Sequence, residues 1–319
     1  MTDLPPSPAP DAALRRLAEA VRDAGYRFTT PTPATHARVN ARPGNARARD
    51  LRDVFGWSRP FGPEALPPGL PELMREAGVL EAAGDGLSRS RVRLSTLEGE
   101  TFLHSAYPTT GAGAVFFGPD TYRFARAIRD ALAARAAPVR RAMDVGTGAG
   151  PGGILVAKAH PDAEVLLGDI NDDALRLARV NAAVAGATGA RALRSDLLSG
   201  AEGEFDLIVS NPPYLLDPGR RAYRHGGGAL GEGLSVAILD AALGRLAPGG
   251  TLVLYTGVAI VNGQDAFRTA AERRLTREPV HWRYSEMDPD VFGEELEGGA
   301  YDAADRIAAV VLTATREEG

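Results

Sequence analysis

From about residue 115 onward, short apolar runs rich in Val, Ile and Leu recur: "RRAMDV", "AEVLLGD", "ARALRSD", "FDLIVS" and "GTLVLYT". Stretches with helical spacing lie between several of them, namely "GILVAKAH", "NDDALRLARVNAAVAG" and "GLSVAILDAALGRL". A strand covered on both faces reads as a continuous apolar run, and strands that alternate with helices build βαβ units. Two further runs, "VHWRYS" and "RIAAVVLTA", supply late strands, the last pair of the sheet. The pattern predicts an α/β domain over residues 107–319, with a mostly parallel seven-stranded sheet.

The earlier part of the chain has a different texture. Residues 1–11 are proline-rich and read as a disordered tail. "DAALRRLAEAVRDAG" has helical spacing, with Leu14, Leu17 and Val21 on one side and a stop at Gly25. Residues 26–60 read as loop-rich and basic: Arg27, Arg38, Arg42, Arg47, Arg49, Arg52 and Arg59 face only Asp50 and Asp53. "LPELMREAGVL" reads as a helix that ends near Gly78. "SRVRLSTL" and "TFLHSAY" alternate around "EGE" and form a hairpin pattern. Short helices followed by a hairpin suggest a small α+β, winged-helix-like domain over residues 12–106. No internal repeat is present.

Composition narrows the classes. The chain has 319 residues, 44% hydrophobic and 24% charged, as an ordinary globular protein has. It contains no cysteine, which excludes disulfides, thiolate metal sites and a cysteine nucleophile. The formal charge of −5 argues against nucleic-acid affinity of the protein as a whole, although a local basic patch can still bind. The start of the chain shows neither the basic nor the apolar region of a signal peptide, and no run of about 18 apolar residues occurs. A cytoplasmic protein without membrane contact is expected. The histidines, His36, His104, His160, His225 and His281, show no metal-ligand spacing, so no metal is expected.

The candidate chemistry lies at strand ends. "MDVGTGAG" places Asp144, Gly146, Gly148 and Gly150 in a D-x-G-x-G-x-G pattern at the close of the first strand of the sheet. Glycine permits positive φ and close approach of a ligand to bare backbone. A dinucleotide loop would place its third glycine one residue later, and Asp144 would repel a pyrophosphate. The acid suits a ligand that bears an ammonium group. Asp169 ends the next strand, where a carboxylate can accept two ribose hydroxyls. Asp196 ends the third, where an adenine edge can sit.

The fourth strand, "FDLIVS", runs into "NPPY". Proline cannot continue a central strand, and the residue before a proline is held out of the helical region. The chain therefore stiffens at the carboxyl edge of the sheet, where open α/β sheets carry their ligand crevice. A reaction at a planar amide or amine nitrogen needs acceptors that orient the N–H groups and favour the charge that develops on nitrogen. The Asn211 side-chain oxygen and the Pro212 carbonyl are two such acceptors, and Tyr214 can stack on the flat acceptor group. A plain Asn-Pro turn with a core tyrosine is the competing reading.

The glycine loop and the three acids resemble the class I methyltransferases that use S-adenosylmethionine. That resemblance implies a Rossmann-like fold and a cofactor site: Gly146, Gly148 and Gly150 along the methionine, Asp169 on the ribose, and Asp196 with Leu197 on adenine. Thr147, Ile170 and Asn211, which adjoin these positions, are counted with the cofactor site. "NPPY" with the following "HGGGALGEGLSVAILDAALGRLAPGG" resembles the HemK-like protein glutamine methyltransferases. "FFGPDTYRFARAI" stands where that family has Pro-Arg-Pro-Glu; Phe117, Pro119, Asp120 and Thr121 are candidates for a cover over the cofactor. The resemblance implies N-methylation of a protein glutamine, in a partner like a release factor. The alternatives are methylation of an RNA or DNA base amine, with the arginines of the first domain on phosphates, and a non-catalytic module that binds the cofactor.

Overall fold

The computed structural model describes residues 8–318, apart from 218, 220, 222 and 298. Of the tail expected over residues 1–11, residues 1–7 lie outside the described residues. The remainder corrects that expectation, because helix α1 (Pro8–Asp23) begins at Pro8, and Asp11 in its first turn pairs with Arg176. The apolar face of α1 is complete: Ala13, Leu14, Leu17, Ala18 and Val21 are all fully buried.

Two short helices, α2 (Pro33–Asn40) and α3 (Leu51–Phe55), interrupt the segment expected to be loop. Each starts on a capping side chain: Thr32 accepts from the Thr35 amide and Asp50 from the Asp53 amide. Helix α4 (Leu70–Glu76) follows, and Gly78 turns the chain out of it at φ +69°. Then come two hairpins, β1 (Leu80–Gly84) with β2 (Leu87–Ser90), and β3 (Val92–Leu97) with β4 (Glu100–Ser105). Both turn on two residues with positive φ, Asp85–Gly86 and Glu98–Gly99, whose twist matches that of paired strands.

The remaining elements are α5 (Pro119–Ala134), β5 (Arg141–Val145), α6 (Pro151–Ala159), β6 (Glu164–Asp169), α7 (Asp172–Ala185), β7 (Ala190–Arg194), β8 (Phe205–Ser210), α8 (Gly233–Leu243), β9 (Leu246–Val261), β10 (Gln264–Asp265), α9 (Ala266–Leu275), β11 (Val280–Asp288) and β12 (Arg306–Arg316). The sheet order is β11-β12-β9-β8-β5-β6-β7, and β10 folds back on β9. Strands β9, β8, β5, β6 and β7 are parallel, whereas β12 is antiparallel to both β9 and β11. This is the Rossmann-like arrangement, with seven strands in line and a two-residue eighth.

The two faces of the sheet are covered by different helices. Val253 and Tyr255 of β9 join the apolar cluster of α5, α6 and α7; Leu252 and Leu254 join that of α8 and α9. The period of two in a strand separates the sets. The first cluster continues into α1, α4 and the β3–β4 hairpin. Asn181 of α7, fully buried, fastens that junction: its side chain accepts from the Leu103 amide at 2.8 Å and donates to the Leu103 and Ala149 carbonyls. The N-terminal elements and the sheet therefore share one core, while the cleft at the carboxyl edge of the parallel strands is lined by residues from Ala114 onward.

Candidate active site

One cleft gathers the ends of β5, β6, β7 and β8. Gly146 and Gly148 line its floor with φ of +68° and +56°. A Cβ on Gly146 would meet no protein atom within 4 Å, and one on Gly148 would meet only Val115. Bare backbone thus faces open space. Asp169 lines the next wall and is held by backbone amides, with Gly148 donating to one carboxylate oxygen and Asn171 to the other, both at 2.9 Å. Burial raises its pKa against those hydrogen bonds. Beside it Ile170 is 54% exposed, the one large hydrophobic side chain so exposed among the described residues. An exposed isoleucine in a cleft offers an apolar face to a flat ligand.

The third wall turns on Ser195. Its hydroxyl donates to the Leu197 carbonyl at 2.8 Å and accepts from the Gly200 amide at 3.0 Å, with Leu197 at φ +51°. The turn leaves Asp196 exposed at the cleft with Leu197 beside it. The fourth wall is Asn211–Pro212–Pro213–Tyr214. It is tied to the first by Ser210, whose buried hydroxyl donates to the Val145 carbonyl at 2.7 Å. Among the described residues the Asn211 side chain has no hydrogen-bond partner, and it lies half-buried at the cleft.

Several expectations need correction. Asp144 does not line the cleft. It is 1% exposed, accepts from the Thr147 hydroxyl at 2.7 Å and the Gly153 amide at 2.8 Å, and burial pushes its pKa up to about 6. It shapes the glycine loop from behind, and Thr147 is buried with it. Gly150 packs instead of lining: a Cβ there would come 3.0 Å from Ile154 and 3.3 Å from Ala178, where α6 meets α7. Tyr214 is not an open stacking surface. It is 7% exposed; its ring lies against Gly257 and edge-on to Phe292 at 5.9 Å, and its hydroxyl faces Asp120.

The segment before α5 divides. Asp120 and Thr121 line the cleft, with Phe116. Phe117 turns inward and stacks on His104 at 4.9 Å, and Pro119 is not at the cleft. Asp120 is a hub: Tyr255 of β9 donates to it at 2.5 Å, Arg123 lies at 3.3 Å, and burial raises its pKa. Tyr223, Arg224, Leu234, Ile238 and Phe292 also line the cleft, none of them singled out as a site residue by the sequence. Tyr223 donates to the Thr109 carbonyl at 2.6 Å, and Arg224 pairs with Glu295 and lies 3.6 Å from Asp217. Among the described residues no cluster of acidic or histidine side chains could hold a metal, and no helix is long and apolar enough to cross a membrane.

The family model described as methyltransferase small domain matches residues 125–260. A release factor glutamine methyltransferase of Deinococcus radiodurans is 35% identical over 225 residues, covering 67% of this chain and 76% of that protein. One from Bordetella pertussis is 30% identical over 237 residues, covering 70% of this chain and 82% of that protein. A ribosomal protein uL3 glutamine methyltransferase of Bordetella pertussis is 40% identical over 131 residues, 37% of this chain and 44% of that protein.

Proposed function

This chain belongs to the HemK-like class I S-adenosylmethionine-dependent N-methyltransferases, and on that premise we propose that its substrate is a glutamine side chain of a protein of the translation apparatus. The observation that carries the reading is the Asn211 side chain, without a hydrogen-bond partner among the described residues and set at the cleft between two stiff prolines and the glycine floor. The relatives' names, one set for release factors and one for ribosomal protein uL3, support the class of substrate.

The residues fit the cofactor. Space over Gly146 and Gly148 takes the methionine part, the Asp169 carboxylate accepts from the ribose hydroxyls, and Asp196 with Leu197 and the exposed Ile170 borders the adenine. When bound, the cofactor supplies an activated methyl on a sulfonium. The protein's part is to present the amide. A planar amide nitrogen is a poor nucleophile because its lone pair is delocalised. The Asn211 Oδ1 and the Pro212 carbonyl oxygen accept its two N–H groups, fix its approach and favour the positive charge that develops there. Tyr214, packed against Gly257 and turned to Asp120, is a post behind this clamp, and the proton leaves after transfer. The methionine-side contacts come from Gly146 and Gly148; Asp144, Thr147 and Gly150 hold the loop that carries them.

The test is product identification. A cell extract is labelled with the methyl-labelled cofactor, then treated with ribonuclease or protease. The expected label is protease-sensitive and maps by mass spectrometry to a glutamine side chain. Label on a nucleobase would reject the reading.

A further inference from the structure

Charge is segregated in this molecule. Residues 26–60 contain seven arginines and two aspartates, a net +5 inside a chain of −5, so the rest of the chain carries −10. Arg59 and Arg49 are paired with Asp53, and Asp50 caps α3. Arg27, Arg38, Arg42, Arg47 and Arg52 are exposed, and none of them has a carboxylate partner among the described residues. The arginines of α1 behave differently: Arg15, Arg16 and Arg22 pair with Glu19, Glu76 and Asp23.

Four of the five, all but Arg27, belong to one knit lobe built of α2, α3 and the loop between them. Arg59 donates to Asn40 at 2.9 Å, Asn40 to the Trp57 carbonyl at 2.9 Å, and Asn45 to the Val39 carbonyl at 2.8 Å. The lobe adjoins the cleft. His36 of α2 lies ring to ring with Tyr107 at 4.0 Å, the Tyr107 amide donates to Ser58, and two residues on, Thr109 accepts from Tyr223 of the cleft wall.

We propose that this arginine lobe is an RNA-binding surface, which holds the substrate protein while it is associated with RNA. The proposal rests on the reading of the substrate given above, since RNA is the polyanion at hand around a protein of the translation apparatus. A protein partner needs apolar anchors at the centre of its interface. The lobe has none, because the one large hydrophobic exposed among the described residues is Ile170, inside the cleft. A phosphate backbone needs only cations with spread-out, solvent-facing forks.

The experiment is a fluorescence-anisotropy titration of the full chain with a labelled RNA hairpin over a range of salt. Four phosphate contacts, one for each arginine of the lobe without a carboxylate partner among the described residues, predict a slope of log K against log salt of about −2.8 to −3.6. The double variant Arg42→Gln/Arg47→Gln should flatten it by about 1.4 to 1.8, and Arg15→Gln/Arg16→Gln should leave it unchanged. A salt-independent or absent RNA complex, a slope indifferent to the lobe variant, tighter binding of duplex DNA, or displacement of RNA by polyglutamate at equal charge would each overturn the assignment. The last outcome would transfer the surface to an acidic protein. Methylation of a free glutamine peptide, measured on the same variants, should not change. Its absence in the unaltered protein would defeat the substrate reading and leave the RNA titration to be judged by itself.

Discussion

Gly257→Ala probes the acceptor clamp from a residue that does not line the cleft. Gly257 lies on β9, paired with Ala309, and its φ is not in the left-handed region, so the backbone accepts alanine. The obstacle is steric. An added Cβ would stand 2.3 Å from Tyr214 Cε2 and 2.4 Å from Cδ2. Carbon pairs are comfortable at about 3.5 to 4.0 Å, so the ring must retreat by about 1 Å. Phe292 lies edge-on to that ring and Asp120 faces its hydroxyl, so the displacement passes into the Pro212–Tyr214 backbone. A misplacement of about 1 Å can cost a reaction on the order of 100-fold. The overpacking itself should cost about 1 to 3 kcal/mol of stability. We expect kcat for methyl transfer to fall on the order of 100-fold, with cofactor affinity by calorimetry unchanged and a cooperative urea transition retained. A folded variant with full kcat would refute the idea that Tyr214 positions the clamp.

Two further outcomes follow from the cofactor wall. Asp169→Ala removes a carboxylate expected to accept from the ribose and frees the Gly148 and Asn171 amides; affinity for S-adenosylmethionine should drop by about 10- to 100-fold, at roughly 1.5 to 3 kcal/mol per charged hydrogen bond, and unchanged calorimetry would reject the assignment. Asp144 titrates at about 6 in the folded protein against an ordinary 3.8, because burial disfavours its charge. The native state thus binds the extra proton between those values, and stability is lost as pH rises from about 4 to 6, by about 3 kcal/mol over two pKa units. Asp144→Asn should abolish that decline, so urea unfolding of the two proteins should diverge across this window; parallel curves would contradict the buried, charge-disfavoured carboxyl.

Much of the sheet was legible because parallel strands buried on both faces leave continuous apolar runs, and "FDLIVS" became β8 as written. The helices α2 and α3 were not, since both are short and start on capping side chains, Thr32 and Asp50, and the apolar set of α3, Leu51, Val54 and Phe55, spans little more than one turn. The β1–β2 hairpin was also overlooked, although Asp85–Gly86 is a turn signal of the kind that marked β3–β4. At the cleft, Gly146, Gly148, Asp169, Asp196 and Asn211 are reached by motif because each lies at or just after a strand end. Asp144 shows the limit of that logic: one residue inside the strand, it points into the protein. Tyr223, Arg224 and Phe292 come from segments joined to the cleft by tertiary contacts such as Arg224–Glu295, which no spacing along the chain encodes.

The central claim is that Asn211 binds the acceptor amide during transfer. Single-turnover methylation of a glutamine peptide by Asn211→Ala, with the cofactor saturating, tests it most directly. Loss of one such acceptor should slow the step by about 100- to 1,000-fold while cofactor affinity holds; transfer at the unaltered rate would contradict the account.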